Sequence, residues 1–251
     1  MSQRPVADGP ACWLDVELPT VAENLALDEA LLAEVHAGVV TGSVVRTWMA
    51  RRPTVVLGSS SHALLEVDLD ACRAADVDVL RRPSGGLTVV LGPGCVMWSV
   101  VAAWPGPTAI EPLHAALLDP LAAALRAAGR PVVRRGSSDL AIEATDGFRK
   151  VSGNALRLRR GAVLYHGTLL DDFDLELVAR VLRHPPREPA YRAGRGHGDF
   201  LANLGLGRQV ISTAVQQAFA ADGPRDDWPR AAVADLLRGR YLDAAWTHRL
   251  P

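Results

Sequence analysis

GFRKVSGNALRLRRGAVLYHGTLL, residues 147–170, reads as two extended runs in succession, with no helical period between them. Just upstream, PVVRR (131–135) and DLAIEA (139–144) have the same character. Strands that follow strands point away from alternating βαβ units. The fold class expected is therefore α+β: a mixed, mostly antiparallel sheet with packed helices.

Working outward, SVVRTWMARRPTVVLGS (43–59) reads as two short strands split by an Arg-Arg-Pro turn. VDVLRR, PSGG and LTVVL (77–91) read as strand, glycine loop, strand. Residues 20–38 read as a helix, with Leu25, Leu27, Ala30, Leu31 and Val35 near a 3.6 period and Gly38 as its stop. Further helices are expected over 68–76, 108–130, 174–183, 209–221 and 229–239. In 108–130, Pro112 fits a first turn, whereas Pro120 is expected to kink or break the helix. Residues 184–204 are rich in Pro, Gly and Arg and form a loop too long for an ordinary connection. No boundary interrupts 20–205. Residues 1–205 are read as the main domain, with 206–251 a small helical C-terminal segment of the same domain.

The chain has 251 residues, 49% of them hydrophobic, and a formal net charge of −1. A sizeable core is available, and the charge argues against nucleic acid as the main partner. Cys12, Cys72 and Cys95 are odd in number, far apart and without a CxxC, unlike a disulfide framework or zinc site. MSQRPVADGP at the start has no apolar core of a signal peptide, and no run of about 18 apolar residues could span a membrane. A soluble, reduced, cytoplasmic protein is expected, with no membrane partner.

Lys150 is the single lysine among 27 basic residues. A compact rotatable ammonium and a planar guanidinium fork are not interchangeable, so this position needs its own account. On a regular strand Lys150, Ser152 and Asn154 share one face, beside Gly153, and Val151 takes the other. That polar face reads either as the wall of a site or as the solvated side of an edge strand. Arg82-Pro83-Ser84-Gly85-Gly86 reads either as a backbone cradle for an anion, with a bidentate grip from Arg82, or as a plain hairpin turn. It lacks the Gly-Lys-Ser/Thr ending of a P-loop. His166-Gly167-Thr168 places a histidine beside a glycine that signals close backbone approach. Asp139, after Ser138, is a candidate metal-facing carboxylate or a turn cap. No Ser/His or Cys/His pair is legible as a nucleophile and its base.

Taken in order, ENLALDEAL, RTWMARRPTVVLGS, RRPSGGLTVVL, GSSDLAI, RKVSGNALR and HGTLL resemble the catalytic domain of lipoate–protein ligases and of octanoyl- and lipoyl-transferases, and more distantly biotin ligases. The resemblance covers about residues 20–205. It implies that Lys150 lies between the acyl carbonyl and the phosphate of an acyl-adenylate. It also implies that Arg82, Ser84, Gly85 and Gly86 form a loop over the substrate. Ser152 and Gly153 bind the substrate, Arg157 lies near the phosphate, His166 and Gly167 line the acyl channel, and Ser138 and Asp139 face the nucleotide, with Asp139 a possible Mg²⁺ ligand. The implied cofactors are ATP and Mg²⁺, with lipoate as substrate. The implied partner is a lipoyl carrier domain of a 2-oxoacid dehydrogenase or a glycine-cleavage H-type protein, with a separate accessory subunit as an option. Val89, Leu91 and Val163 are expected in the apolar slot.

Three departures stand out. The ligase loop's third glycine and His-Asp pair are replaced by Leu87, Leu91 and Gly92. The Asn before the acidic residue is Ser138. The chain is too short for the C-terminal accessory domain of the larger ligases. The leading expectation is a ligase acting through an acyl-adenylate. The alternatives are an ATP-independent transferase between carriers and a non-catalytic binder of lipoate or its carrier. Transferases of this resemblance use a cysteine just before the Asp-Leu, where this chain has Ser137 and Ser138.

Overall fold

A computed structural model describes residues 9–104 and 109–251. Residues 1–8, which carry most of the signal-peptide reading, and Thr108, the start of the expected 108–130 helix, lie outside the described residues.

Eleven stretches of strand form two sheets among the described residues. The larger sheet takes β1 (Ala11–Trp13), β2 (Ser43–Met49), β6 (Cys95–Ala103), β7 (Val132–Arg135), β8 (Asp139–Ala144), β9 (Gly147–Arg159), β10 (Ala162–Leu170) and β11 (Gly223–Pro224) in the order β11-β1-β2-β6-β10-β9-β8-β7. Only the β11-β1-β2 edge is parallel; the remaining pairs are antiparallel. The smaller sheet is β4 (Asp78–Arg81), β3 (Thr54–Leu57) and β5 (Val89–Leu91), with β3 in the centre. The architecture is the mixed, mostly antiparallel sheet with packed helices that the strand pattern predicts.

The two short strands of 43–59 separate: Arg51-Arg52-Pro53 carries the chain from one sheet to the other. The glycine loop is likewise no hairpin. β4 and β5 both flank β3, the first parallel and the second antiparallel, so the loop passes over the end of β3.

Helix α1 (Val21–His36) starts with a reciprocal capping box. The Thr20 hydroxyl accepts from the Glu23 amide at 3.2 Å, and the Glu23 carboxylate accepts from the Thr20 amide at 2.8 Å. Leu25, Leu27, Leu31 and Leu32 are at most 1% exposed. Burial of each contributes about 1.5–3 kcal/mol. Alongside them α1 buries Asn24, Asp28 and Glu29. Arg46 on β2 answers two of these, donating to Asp28 at 2.8 Å and to the Asn24 side chain at 2.5 Å.

Helix α4 (Ile110–Ala127) and helix α7 (Arg208–Ala218) cover the opposite face, around Val45, Trp98, Val151, Val163 and Tyr165. α4 continues through Pro120 rather than breaking there. Proline removes one backbone donor, and Leu113, Leu117, Leu118, Leu121 and Leu125, all fully buried, hold the helix on the sheet regardless.

Beyond residue 206 the chain returns to the same two cores. α7 packs on α4, β11 pairs with β1, and α8 (Arg230–Leu236) packs on α1. The last residues strap the small sheet. Fully buried Arg81 donates to four carbonyls: Gly58 and Ser61 at 2.7 Å, Thr247 at 2.9 Å and Leu250 at 3.2 Å. The Trp246 indole donates back to the Arg81 carbonyl at 2.9 Å. No helix among the described residues is long and apolar enough to cross a membrane.

Candidate active site

A cavity of about 540 Å³ lies between the glycine loop, α1, residues 150–155 of β9, residues 166–168 of β10, and residues 187–190. Leu25, Val56, Leu87, Val89, Leu91 and Met97 make one part of its wall apolar. Ser137, Ser138, Asp139, Lys150 and Arg187 make another part polar. An apolar slot continuous with a cationic end suits a long acyl chain carrying an anionic or activated carboxyl group.

Lys150 reaches this cavity because β9 is irregular. The register with β8 steps from Leu140↔Ser152 to Ala141↔Lys150, which leaves Val151 as an extra residue. Val151 and Ser152 therefore sit toward the α4 side, and Lys150 joins Gly153 and Ala155 on the cavity side. A Cβ on Gly153 would lie 2.9 Å from both Cε and Nζ of Lys150, so glycine makes room for the lysine. The expectation that Lys150, Ser152 and Asn154 share a face is corrected by this bulge. Ser152 is fully buried, with its hydroxyl 3.3 Å from Asn154 Oδ1, and it does not line the cavity.

Asn154 spans the sheet. Its Oδ1 accepts from the Trp98 indole at 3.1 Å, and its amide donates to the Ser138 carbonyl at 2.8 Å. Gly167, opposite it on β10, permits this: a Cβ there would fall 1.7 Å from Asn154 Oδ1. The close approach at Gly167 is made on this face by the Asn154 side chain, and Gly167 also lines the cavity, beside His166.

Arg82 holds the glycine loop from inside. Its guanidinium donates to the Ser84 hydroxyl at 3.0 Å and to the carbonyls of Val56 at 3.0 Å, Gly85 at 2.6 Å and Leu87 at 2.9 Å. It is 5% exposed, and burial lowers its pKa to about 10. The bidentate grip on a substrate is corrected on this point, because the fork is already engaged by the protein. Gly86 has φ of +85°, a conformation that requires glycine, whereas Gly85 has an ordinary backbone.

A Ser/His pair that sequence reading does not find is present across 82 residues. Ser84 Oγ lies 2.6 Å from His166 Nε2, and His166 Nδ1 lies 3.5 Å from Asp28 Oδ2. Nδ1–H toward Asp28 leaves Nε2 to accept from the serine. Ser84 is fully buried and off the cavity wall, so the chain Asp28–His166–Ser84–Arg82 fixes the loop; only His166 and Arg82 of it touch the cavity. Burial works to raise the Asp28 carboxyl, but Arg46 and His166 outweigh it and hold the group below the usual range.

Arg157 is not at the cavity. It pairs with Glu29 at 3.1 Å, where Arg240 and the Tyr241 hydroxyl also converge. Its expected phosphate role is corrected: from Gly153 onward β9 alternates regularly, and residue 157 faces α1 beyond the cavity. Val163 faces α4, away from the slot. Leu25, Met97 and Arg187, which sequence reading misses, do line it.

Asp139 has both oxygens engaged: Oδ1 by Lys150 Nζ at 2.8 Å and Oδ2 by the Tyr191 hydroxyl at 3.0 Å. No cluster of three His, Cys, Asp or Glu able to hold a metal exists among the described residues. A lone carboxylate whose charge is already paired with an ammonium is a poor seat for a resident Mg²⁺, which relies on carboxylate charge. None of the cysteines lines the cavity, and Cys95 is fully buried, with its thiol pushed by burial up to about 12.

Residues 20–221 match the sequence model of the lipoyl protein ligase A/B catalytic domain. Octanoyltransferase LipM of Symbiobacterium thermophilum is 31% identical over 220 residues, 79% of this chain and 80% of that protein. The bipartite lipoate protein ligase of Thermoplasma acidophilum, studied with its E2 lipoyl domain, superposes with a TM-score of 0.82 at 22% identity, over 96% of this chain and 97% of that one. A lipoate-protein ligase A bound with ATP superposes with a TM-score of 0.79 at 21% identity, over 98% of this chain and all of that one.

Proposed function

The chain belongs to the lipoyl protein ligase A/B catalytic-domain family of enzymes, and from that premise we propose that it acylates a carrier-domain lysine with lipoate or a similar medium-chain acid, activated as an acyl-adenylate. The observation that carries this reading is the chain's single lysine at the polar end of a half-apolar cavity with no cysteine in its wall. The acid attacks ATP to give acyl-adenylate and pyrophosphate. The carrier amine then attacks the acyl carbon, and AMP leaves as the amide forms.

In this reading the slot of Leu25, Val89, Leu91 and Met97 holds the chain. Lys150 uses one N–H on Asp139 and has two left for the acyl carbonyl and the phosphate, where charge develops during attack. Arg187 in the cavity wall is a second cation for the phosphate, and the Gly86 backbone closes over the acyl end; Gly85, whose N–H and carbonyl are bound by Leu156 and Arg82, does not line the cavity. No metal step is assigned to the chain's own residues. Residues 206–251, packed into both cores, are taken as part of the same catalytic domain. A lipoyl carrier domain is the acceptor, by likeness to the Thermoplasma pair.

The relation to an octanoyltransferase favours a second reading, in which the acyl group arrives on a carrier thioester without ATP. Intact mass of an apo-lipoyl domain decides between them. One incubation contains lipoate, ATP and magnesium, and the other an octanoyl thioester carrier alone. Acylation in the first only is expected; acylation in the second only transfers the conclusion to the transferase. Lys150→Ala and Lys150→Arg are both expected to lower transfer by about 10²–10³. Near-parental turnover by either would refute the role given to the ammonium.

A further inference from the structure

Both oxygens of Asp139 are engaged by the protein, and the group that takes the second comes from the overlong loop. Tyr191 lies in a turn, Ala190–Arg192, within the 184–204 segment. The segment is fastened to β9 at the catalytic position and two residues before it. The Arg195 guanidinium donates to the Phe148 carbonyl at 2.8 Å, and the Ala202 amide donates to the Lys150 carbonyl at 2.9 Å. Tyr191 packs its ring on Phe200 at 5.1 Å and aims its hydroxyl at Asp139. The neighbouring residues Arg187, Glu188, Pro189 and Ala190 line the cavity. One segment therefore walls the cavity, grips the lysine's backbone and reaches the carboxylate that holds its ammonium.

We propose that Asp139 and Tyr191 are positioning residues for Lys150, so that the 184–204 segment sets where the ammonium points and Asp139 serves the lysine rather than a metal. The inference rests on the role given to Lys150 above. An ammonium on a four-carbon stem has many rotamers, and an unanchored one would spend much of its time away from the reacting oxygens. Asp139 selects one direction with a charge-assisted bond at 2.8 Å. Asp139 in turn is fixed by Tyr191, whose phenol is held in its protonated, donating form because burial and the Asp139 charge both raise its pKa. Gly153, beneath the lysine stem, completes the seat.

The single lysine makes a direct test possible. Protein grown with ¹³C,¹⁵N-lysine carries one labelled side chain, so its Cε and Nζ signals need no assignment. Tyr191→Phe keeps the ring packed on Phe200 and removes only the hydroxyl; Asp139→Asn removes the charge. Both variants are expected to shift the labelled signal and increase its mobility. Both are expected to lower kcat for carrier acylation by about tenfold or more, with KM for lipoate within about twofold of the parent. Asp139→Glu, which can still reach the ammonium, is expected to recover part of kcat. Titration of the parent with magnesium chloride alone is expected to leave the lysine signal in place. The proposal is overturned if Tyr191→Phe changes neither signal nor kcat, or if magnesium alone displaces the lysine signal saturably. A parent protein that acylates no carrier with either donor refutes the proposed function instead, and the lysine signal still reads the Asp139–Tyr191 anchoring.

Discussion

Gly167→Ala is a one-carbon change whose cost can be worked from the geometry. The added Cβ would lie 1.7 Å from Asn154 Oδ1, 2.6 Å from its Cγ and 2.9 Å from the Gly153 carbonyl oxygen. The Asn154 side chain must leave. Its departure strands the Trp98 indole N–H, which is fully buried, and takes a donor from the Ser138 carbonyl. An orphaned buried donor costs about 1–3 kcal/mol and the second bond about 0.5–1.5. The lower backbone freedom of alanine in the unfolded chain offsets about 0.4–1. The net loss expected is about 2–3 kcal/mol, or roughly 5–10 °C in Tm for a chain of this size. Urea denaturation of four proteins measures it: parent, Gly167→Ala, Asn154→Ala and the double variant. Asn154→Ala loses the same bonds, so Gly167→Ala on that background is expected to cost less than in the parent, with the 2.9 Å approach to the Gly153 carbonyl as the remaining term. Strict additivity, or a neutral Gly167→Ala in the parent, would refute the reasoning.

Three shorter predictions follow from other parts of the molecule. A variant with Cys12, Cys72 and Cys95 all changed to alanine is expected to keep the parent's acyl transfer, and neutral-pH alkylation of native protein is expected to spare Cys95, whose thiol stays protonated near pH 7; an acyl-thioester trapped on Cys95 would contradict both. The Asp28 carboxyl sits below its unfolded value of about 3.9, so its contribution is complete above that pH and is lost as pH falls through the folded value. Asp28→Asn is therefore expected to flatten the acid limb of a stability–pH curve while costing about 3–5 kcal/mol at neutral pH through unpaired Arg46; an unchanged acid limb would count against it. Arg81→Met leaves four carbonyls without their donor and is expected to free residues 244–251 for carboxypeptidase digestion; equal digestion rates in both proteins would show that the strap is held by other contacts.

How far the sequence could be read depended on whether the physics was local. Strand succession around 131–170 needs only periodicity and neighbours, and it led to the correct fold class. The capped helix at 21–36 is legible for the same reason. The pairing of β4 and β5 around β3 is not local, so a glycine loop between two strands looks like a hairpin when it is a crossing. A single bulge at Val151 inverts the faces of β9, and nothing in the residue types announces it. The role of Arg82 follows from carbonyls at 56, 85 and 87, and that of Arg157 from a glutamate 128 residues away. Lys150 could be singled out because it is alone of its kind. Tyr191 could not, because its loop has no period and its partner lies 52 residues upstream.

The strap at the end of the chain also has an order in time. Arg81 emerges from the ribosome 166 residues before the carbonyl of Thr247 and 169 before that of Leu250. Until those residues exist, half of the acceptors for its guanidinium are missing, and Trp246 is not there to fix its carbonyl. Arg82, next in sequence, holds the glycine loop over the cavity. The large sheet and both cores also take late partners, β11 at 223–224 and the helices from 208 onward, so the backing of the substrate loop arrives with the last of the packing. A chain released short of Thr247 therefore lacks two of the four acceptors that hold Arg81 beside that loop.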